Sequence, residues 1–305
     1  MKIIRKIVFA FLAISGVAAI GGALYFDRKF TPKENYLTVE NESGIVPLIW
    51  EGTEKKALLL PLHFEKDTTT YYLQFDTGSP YTILYSQSIQ NLPSITTKGT
   101  VAKASFSIGK TKISSDQFSI YNQGNDIKKT VGALNIIGTL GTDVLDQRKT
   151  VLNFKENYMV LNLTKVPATF QNKLTDFTFK KRRIIIEGEV QGKQGSFLFD
   201  SGTSAFELIT NKEVWENLKL KNSKITIEKS KSWDKILSTF TANSNQKIHF
   251  HKSEIPLKNV TYVEGYSPIQ YAMMQFSGMT GMLGNKIFLN NSLYIDCSEN
   301  KIGID

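Results

Sequence analysis

The chain has 305 residues, of which 41% are hydrophobic and 21% charged, so it fits neither the disordered nor the fibrous classes and is long enough for two cored domains. The formal net charge is +9, but residues 1–33 hold six basic residues and one acidic residue, and the remainder has 31 basic and 27 acidic residues, a net of +4. This balance predicts no nucleic-acid partner, and the single cysteine, Cys297, excludes an intramolecular disulfide.

An apolar stretch near the start, residues 7–26, carries no charge and has basic residues on both sides. A helix of this length can span a bilayer. We predict a signal anchor and tether over residues 1–33, which makes the chain a single-pass membrane protein with its remainder exported. The alternative is a secreted protein, released by cleavage of a signal peptide after Ala19, because Val17-Ala18-Ala19 is a small-residue cleavage site.

Two strand hairpins are predicted, one in each half of the chain. In the first, residues 56–64 and 70–75 read as strands joined by a turn at 66–70. In the second, residues 183–190 and 195–199 read as strands joined by a turn that begins at 191. Each hairpin leads directly into a tight turn that begins with an aspartate.

These two turns have nearly the same sequence. The first reads Phe75-Asp76-Thr77-Gly78-Ser79, and the second reads Phe199-Asp200-Ser201-Gly202-Thr203. A single Asp-Thr/Ser-Gly is weak evidence, since it also suits an ordinary β-turn. Two copies, each at the end of a buried strand, indicate that two carboxylates are presented at fixed points.

A second repeated element follows each turn. Residues 138–161 and 281–304 align without a gap, with Gly, Leu and Gly shared at the start of the two segments. Internal duplication is the simplest account of this repeat. We place the boundary between the halves in residues 163–170, which contain a proline and no clear period, and predict domains over 34–165 and 166–305.

The paired turns and the hydrophobic-hydrophobic-Gly elements at 138–145 and 281–288 resemble those of the pepsin-like aspartic proteases, the bilobed relatives of the retropepsins. The resemblance covers about residues 56–304. It implies an all-β fold of two homologous lobes with the active site between them, preceded here by the anchor helix. It also implies an aspartic-type endopeptidase, a hydrolase that needs no cofactor and no metal, acts on a peptide or protein substrate, and is monomeric.

The resemblance also assigns a role to each loop residue. Asp76 and Asp200 would be the catalytic pair, sharing one proton and activating a water molecule. The supporting residues divide into three kinds: glycines that let the backbone pass close to the carboxylates, hydroxyls that hydrogen-bond across the lobe junction, and hydroxyls that donate to the outer carboxylate oxygens. In that order they are Gly78 and Gly202, Thr77 and Ser201, and Ser79 and Thr203.

One feature departs from the family pattern. Residues 99–113 predict a hairpin with its turn at 108–111, where pepsins carry the flap that closes over substrate, but the flap tyrosine is absent and the nearest are Tyr81, Tyr85 and Tyr121. This departure leaves open an alternative from another class. The chain would then be a membrane-tethered peptide-binding module that keeps the fold without turnover.

The remaining polar clusters give no second candidate site. His249 and His251 alternate along a predicted strand, which would place both on one face at a solvent-facing edge, and His63 stands apart. Their spacing is not that of a metal site, so no metal is predicted. The basic run at residues 180–183 is interpreted as a solvated strand end.

Overall fold

A computed structural model describes residue 28 and residues 31–305 except 129, 131, 233, 234 and 267–277. Strands make up most of this structure and helices are short, which confirms the predicted all-β fold class. The predicted anchor at residues 7–26 lies outside the described residues. Among the residues that are described, no helix is long and apolar enough to cross a membrane.

Nine strands, numbered in chain order, form the sheet that we call the N-terminal sheet. They are β1 (Thr38–Glu40), β3 (Ile49–Trp50), β4 (Leu58–Phe64), β5 (Tyr71–Phe75), β6 (Ile83–Tyr85), β7 (Ile95–Lys98), β8 (Val101–Ile108), β9 (Thr111–Tyr121) and β10 (Ile136–Leu140). Alternate residues are buried in β5, namely Tyr71, Leu73 and Phe75, as expected of a strand with one face on the core.

Eight strands form the C-terminal sheet. They are β14 (Thr178–Lys180), β15 (Arg183–Val190), β16 (Lys193–Phe199), β17 (Leu208–Thr210), β18 (Thr226–Ser232), β19 (Lys235–Phe250), β20 (Ser253–Glu264) and β21 (Met279–Leu283). The predicted strand at residues 183–190 is therefore confirmed. β19 ends at Phe250, so His251 lies in the following turn, and the prediction that it shares a strand face with His249 is wrong.

The two sheets repeat the same strand pairings. In the N-terminal sheet β4 and β5 form an antiparallel hairpin, β10 lies parallel to β5, and β6 lies antiparallel to β10. In the C-terminal sheet β15 and β16 form the corresponding antiparallel hairpin, β21 lies parallel to β16, and β17 lies antiparallel to β21. The repetition continues outward, because β9 lies parallel to β6 as β20 does to β17. This correspondence supports the internal duplication inferred from the sequence.

A third sheet, which we call the shared sheet, takes strands from both halves of the chain. Its six strands run in the order β13-β23-β22-β11-β12-β2. They are β2 (Val46–Pro47), β11 (Lys149–Asn153), β12 (Tyr158–Leu163), β13 (Leu174–Asp176), β22 (Ser292–Asp296) and β23 (Lys301–Ile304). β11 and β22 form its central antiparallel pair, with Thr150 opposite Ile295. The pairs β11–β12 and β22–β23 follow residues 138–145 and 281–288 in corresponding places, as the ungapped repeat of 138–161 and 281–304 suggests.

Between residues 35 and 305, where the structure describes the chain, helices are confined to short connections. They are α1 (Ser86–Ile89), α2 (Lys212–Leu218) and 3₁₀ turns at Thr142–Leu145, Ala168–Phe170, Ser201–Thr203 and Asn285–Phe288. The Asn211 side chain caps α2 by accepting a hydrogen bond from the Val214 N–H at 2.9 Å. Trp215 and Leu218 then bury the apolar face of this helix.

Residues 35–305 form one compact unit. The unit is continuous because the shared sheet and the core join both halves. The Phe288 ring lies 6.5 Å from the Phe154 ring and 5.5 Å from the Phe199 ring, centroid to centroid. The division into domains at residue 165 stays a prediction.

Candidate active site

Asp76 and Asp200 each follow the last residue of a central strand. Phe75 at the end of β5 and Phe199 at the end of β16 are fully buried, which anchors the start of both loops. The neighbouring strand then fixes the backbone, because the Asp76 N–H donates to the Leu140 carbonyl at 3.0 Å and the Asp200 N–H donates to the Leu283 carbonyl at 2.9 Å. The elements at 138–145 and 281–288 thus hold the two loops in place.

Reciprocal hydrogen bonds join the two loops. The Thr77 N–H donates to the Ser201 hydroxyl at 2.9 Å, and the Ser201 N–H donates to the Thr77 hydroxyl at 2.9 Å. The Thr77 hydroxyl donates onward to the Phe199 carbonyl, and the Ser201 hydroxyl to the Phe75 carbonyl, both at 2.8 Å. Thr77 and Ser201 are completely buried. They make the hydrogen bonds between loops that the sequence analysis assigned to them.

The glycine of each loop faces the carboxylate of the other. A Cβ atom built on Gly78 would lie 2.6 Å from Asp200 Oδ1, and one built on Gly202 would lie 2.5 Å from Asp76 Oδ1. Real Cβ atoms do not come this close to other atoms, so any other residue would displace a carboxylate. The requirement for glycine at these two positions is therefore steric, and the two carboxyl groups meet at the centre of the loop pair.

Backbone amides orient both carboxylates. The Gly78 N–H donates to Asp76 Oδ1 at 2.8 Å, and the Gly202 N–H donates to Asp200 Oδ1 at 2.9 Å. Each aspartate therefore accepts a hydrogen bond from the residue two positions later, which closes an Asx turn. The same bond caps the 3₁₀ turn that follows Asp200.

Ser79 and Thr203 do not donate to the carboxylates, and the role predicted for their hydroxyls is wrong. The Ser79 hydroxyl donates to the Tyr81 carbonyl at 2.7 Å, and the Thr203 hydroxyl donates to the Asp200 carbonyl at 2.8 Å. A hydroxyl has one proton to donate, and in both loops that proton goes to a backbone carbonyl. It is the backbone N–H of Ser79 that acts on Asp76, by lowering the pKa of its carboxyl group.

Burial raises the pKa of both catalytic candidates above the ordinary value for aspartate. For Asp200 the negative charge of Asp76 raises the pKa further, because two neighbouring carboxylates repel each other when both are ionised. The Arg183 guanidinium acts in the opposite direction on both pKa values. The pair therefore favours the state that holds one proton between two carboxyl groups.

The basic run at residues 180–183 is only partly a solvated strand end, which corrects the interpretation from sequence. Lys181 and Arg182 adopt left-handed φ values of 54° and 56° in the β14–β15 turn, which turns Arg182 inward. Arg182 is buried, with its guanidinium carbon 5.6 Å from the centre of the Tyr81 ring. Arg183 is half-buried and donates from Nη1 to the Gly78 carbonyl at 3.3 Å.

Tyr85 is a further neighbour of the pair that the sequence did not single out for the site. Its hydroxyl lies 2.6 Å from the Thr139 hydroxyl on the adjacent strand. Burial raises the pKa of Tyr85, and the charge of Asp76 raises it further, so Tyr85 stays neutral beside the carboxylates. The sequence signal for it is its place at the end of the strand after the first loop.

Two polar side chains, Asp143 and Asn285, form hydrogen bonds to residues in or just after the loops. Asp143 accepts hydrogen bonds from the Thr82 N–H at 2.6 Å and the Thr82 hydroxyl at 2.7 Å, and burial raises its pKa to about 6. In the second half Asn285 donates from Nδ2 to the Ser201 carbonyl at 3.1 Å. Both residues belong to the repeated elements, and their hydrogen bonds go to backbone and hydroxyl groups and not to the carboxylates of Asp76 and Asp200.

The predicted hairpin with its turn at 108–111 is present as β8 and β9, with Ile108 paired to Thr111. Its turn is fastened to the chain near the N-terminus, because the Lys110 N–H donates to the Ser43 carbonyl at 3.0 Å. In the preceding turn, between β7 and β8, a Cβ atom built on Gly99 would meet no atom of a more distant residue within 4 Å, and the glycine is exposed. The turn at 108–111 is thus held in place, whereas the turn at Gly99 is open to solvent.

The histidines and the metal-binding residue types add no second site. His63, His249 and His251 are all exposed, and His249 Nδ1 lies 3.1 Å from Glu254 Oε2. Across the part of the chain that the structure describes, no three His, Cys, Asp or Glu side chains are grouped as metal ligands. Comparison with protein-family models and with curated proteins found no match to this chain.

Proposed function

We propose that this protein is an aspartic endopeptidase of the pepsin-like, two-lobed type. The observation that carries the proposal is the reciprocal placement of the two Asp-Thr/Ser-Gly loops, in which each glycine faces the opposite carboxylate. The N-terminal and C-terminal sheets have the same strand pairings, and one central strand of each leads into one of these loops. This repetition supports the two-lobe arrangement. The shared sheet, with strands from both halves, supports it as well.

The proposed chemistry uses the Asp76–Asp200 pair as one unit. The ionised carboxylate takes a proton from a water molecule, which attacks the carbonyl carbon of the peptide bond. The protonated carboxyl group donates its proton to the carbonyl oxygen as that oxygen becomes negative. The group that took the proton from water then passes it to the amide nitrogen as the C–N bond breaks, and the other group recovers its proton from a hydroxyl of the intermediate as the new carboxyl product forms. The two groups can hold different protonation states because burial and mutual repulsion disfavour the doubly ionised pair. The N–H groups of Gly78 and Gly202 keep both carboxylates in position throughout.

The open turn at Gly99 is the better candidate for a flap than the fastened turn at 108–111. Its hairpin, β7 with β8, occupies the same place in its sheet as β18 with β19 in the other sheet. The residues that would clamp a substrate differ from the pepsin pattern, since none of the described tyrosines lies in this turn. This difference keeps the peptide-binding module without turnover as the rival function.

A mixed peptide library separates these two functions. The ectodomain should cleave a subset of the peptides, and a statine-type inhibitor, which resembles the tetrahedral intermediate, should stop the cleavage. The matched control is the Asp200→Asn variant, which retains the loop backbone. Retention of peptides without any cleavage by the unmodified protein would support the binding module and contradict the protease.

We further propose that residues 7–26 anchor the protein in a membrane with residues 34–305 exported. The full chain is then expected to sediment with membranes and resist extraction by alkaline carbonate, whereas a chain that begins at Glu34 should stay in the soluble fraction as a monomer. N-terminal sequencing provides the control. A soluble full-length product that begins at Ile20 would instead establish cleavage after Ala19 and a secreted protein.

The position of the Ser79 hydroxyl leads to a prediction about pH. Because this hydroxyl donates to the Tyr81 carbonyl and not to a carboxylate, Ser79→Ala should leave both limbs of the pH profile of kcat/KM within about 0.3 pH unit of the unmodified protein. The measurement is the initial rate of cleavage from pH 3 to 9. A displacement of either limb by about one pH unit would mean that the hydroxyl acts on the carboxylates after all.

A further inference from the structure

Arg183 lies where the two aspartate loops meet the C-terminal sheet. It is the first residue of β15, and the next residue, Ile184, pairs with Phe199, the last residue of β16. Continuing this antiparallel register by one residue places Arg183 beside Asp200. Its Nη1 atom donates to the carbonyl of Gly78, which belongs to the opposite loop. One side chain thus connects the strand beside one aspartate with the loop of the other.

The backbone before Arg183 is fixed from the other half of the chain. The Arg182 carbonyl accepts a hydrogen bond from the Thr142 hydroxyl at 2.6 Å, and the Arg182 side chain stacks over Tyr81. The left-handed turn at Lys181 and Arg182 returns the chain into β15 directly after these contacts. The guanidinium of Arg183 is therefore held in a defined place before any substrate arrives.

The duplicated halves differ at this position. In the first half, Leu59 pairs with Gln74, so the residue beside Asp76 is Ala57, which carries no charge. At this register position a cation lies beside Asp200 and an uncharged residue lies beside Asp76, although the two loops are otherwise nearly symmetric. Duplication of the hairpin alone does not account for an arginine here.

We propose that Arg183 is a positioning residue, which ties the Gly78 loop to β15 and keeps a permanent positive charge beside the Asp76–Asp200 pair. This inference rests on the proposed function. Arginine is suited to the task because a guanidinium group is a planar cation that can donate a hydrogen bond to a carbonyl while its charge acts on nearby carboxyl groups. The charge opposes the effect of burial and holds the pair in its singly ionised state at lower pH than burial alone would allow.

Other groups facing the pair do not replace this charge. Tyr85 approaches Asp76 from β6 and is neutral, and each aspartate faces the other. Arg182 faces Asp143 and Asp146, with Nε 3.4 Å from Asp146 Oδ2, and its charge lowers the pKa of Asp143. The two adjacent arginines thus act on different carboxylates.

The test compares three substitutions by their pH profiles of kcat/KM. Arg183→Gln should move both limbs upward by about one pH unit, because loss of a nearby cation raises the pKa of each deprotonation of the pair. Arg183→Lys, which keeps the charge, should move them by less than half as much. Lys180→Gln, an exposed substitution with the same change in net charge, should move neither limb. A lower kcat with unmoved limbs in Arg183→Gln would overturn the proposal.

A readout that does not depend on cleavage separates this inference from the proposed function. The carboxyl ¹³C resonances of Asp76 and Asp200, assigned with the Asp→Asn variants, should titrate at higher pH in Arg183→Gln than in the unmodified protein. If they do so in a protein that cleaves no peptide, the protease proposal fails and the role of Arg183 stands. If cleavage is present and the titration is unmoved, the role of Arg183 is refuted. Should Arg183→Gln not fold, Arg183→Met and Arg183→Lys decide by the same comparison.

Discussion

Replacing either Asp76 or Asp200 by asparagine should lower kcat/KM for peptide cleavage by at least about 10²- to 10⁴-fold, the range contributed by a general acid or base. Both substitutions should have this effect because the two carboxyl groups act as one unit on one proton, so neither retains the function alone. The measurement is the initial rate on a peptide that the library identifies. Retention of more than a small fraction of activity by either variant would contradict a single shared site.

The unfolding temperature of Asp200→Asn shows whether a loss of activity comes from a damaged fold. Burial raises the folded-state pKa of Asp200, so the folded protein holds its proton more tightly than the unfolded chain does, and stability is lost as pH rises through the folded pKa. Asparagine does not ionise and can still accept the Gly202 hydrogen bond through Oδ1. Asp200→Asn should therefore unfold at a higher temperature than the unmodified protein at pH 8, by about 2–4 °C for each kcal/mol gained, with little difference at pH 3. A variant that is less stable at pH 8 would indicate a damaged site and not a missing proton.

The second large effect is expected at the junction of the loops. Thr77→Val keeps the shape of the side chain but removes the acceptor for the Ser201 N–H and the donor to the Phe199 carbonyl, both of which are buried. Each buried group left without a partner costs about 1–3 kcal/mol, so the free energy of unfolding should fall by roughly 2–6 kcal/mol. Urea denaturation followed by fluorescence measures this change.

A matched control for that substitution is Thr111→Val. Thr111 is equally buried, but its hydroxyl donates a single hydrogen bond, to the Asn41 carbonyl at 3.1 Å, and lies far along the chain from either loop. The control should lose about half as much stability and keep its pH profile. Equal losses in the two variants would mean that the hydrogen bonds between the loops contribute nothing beyond an ordinary buried hydroxyl.

The parts of the site that could be predicted from sequence are those that depend on local pattern. The strands into Asp76 and Asp200 follow from β-branched and aromatic runs, and the turns follow from Asp and Gly at fixed spacing. The duplication also made Thr77 and Ser201 recognisable as a pair, because each occupies the same place in its copy. The repeated glycines after residue 138 and residue 281 pointed to the strands that hold both loops.

The parts that were wrong depend on which groups meet in three dimensions. Whether the Ser79 hydroxyl donates to a carboxylate or to the Tyr81 carbonyl depends on the path of the loop backbone, which the local sequence pattern does not specify. Arg182 was interpreted as solvated because basic runs usually are, and only the left-handed turn, together with Tyr81 from the other half, makes its burial possible. His251 was placed on a strand because the alternation of Ile, His and Phe continues through residue 251, although the strand ends at Phe250.

The shared sheet has a consequence for the order in which this protein can fold. The central pair of the shared sheet joins β11 to β22, with Thr150 opposite Ile295. The sheet therefore cannot be completed until residues near the C-terminus have been synthesised. Pairing over such a separation is slow, since the intervening loop must close before the contacts form. A nascent chain that has emerged only as far as Asp200 holds both aspartates but lacks β21, whose Leu283 carbonyl fixes the second loop. The proposed active site should therefore be complete only late in synthesis, after β21 has joined the C-terminal sheet.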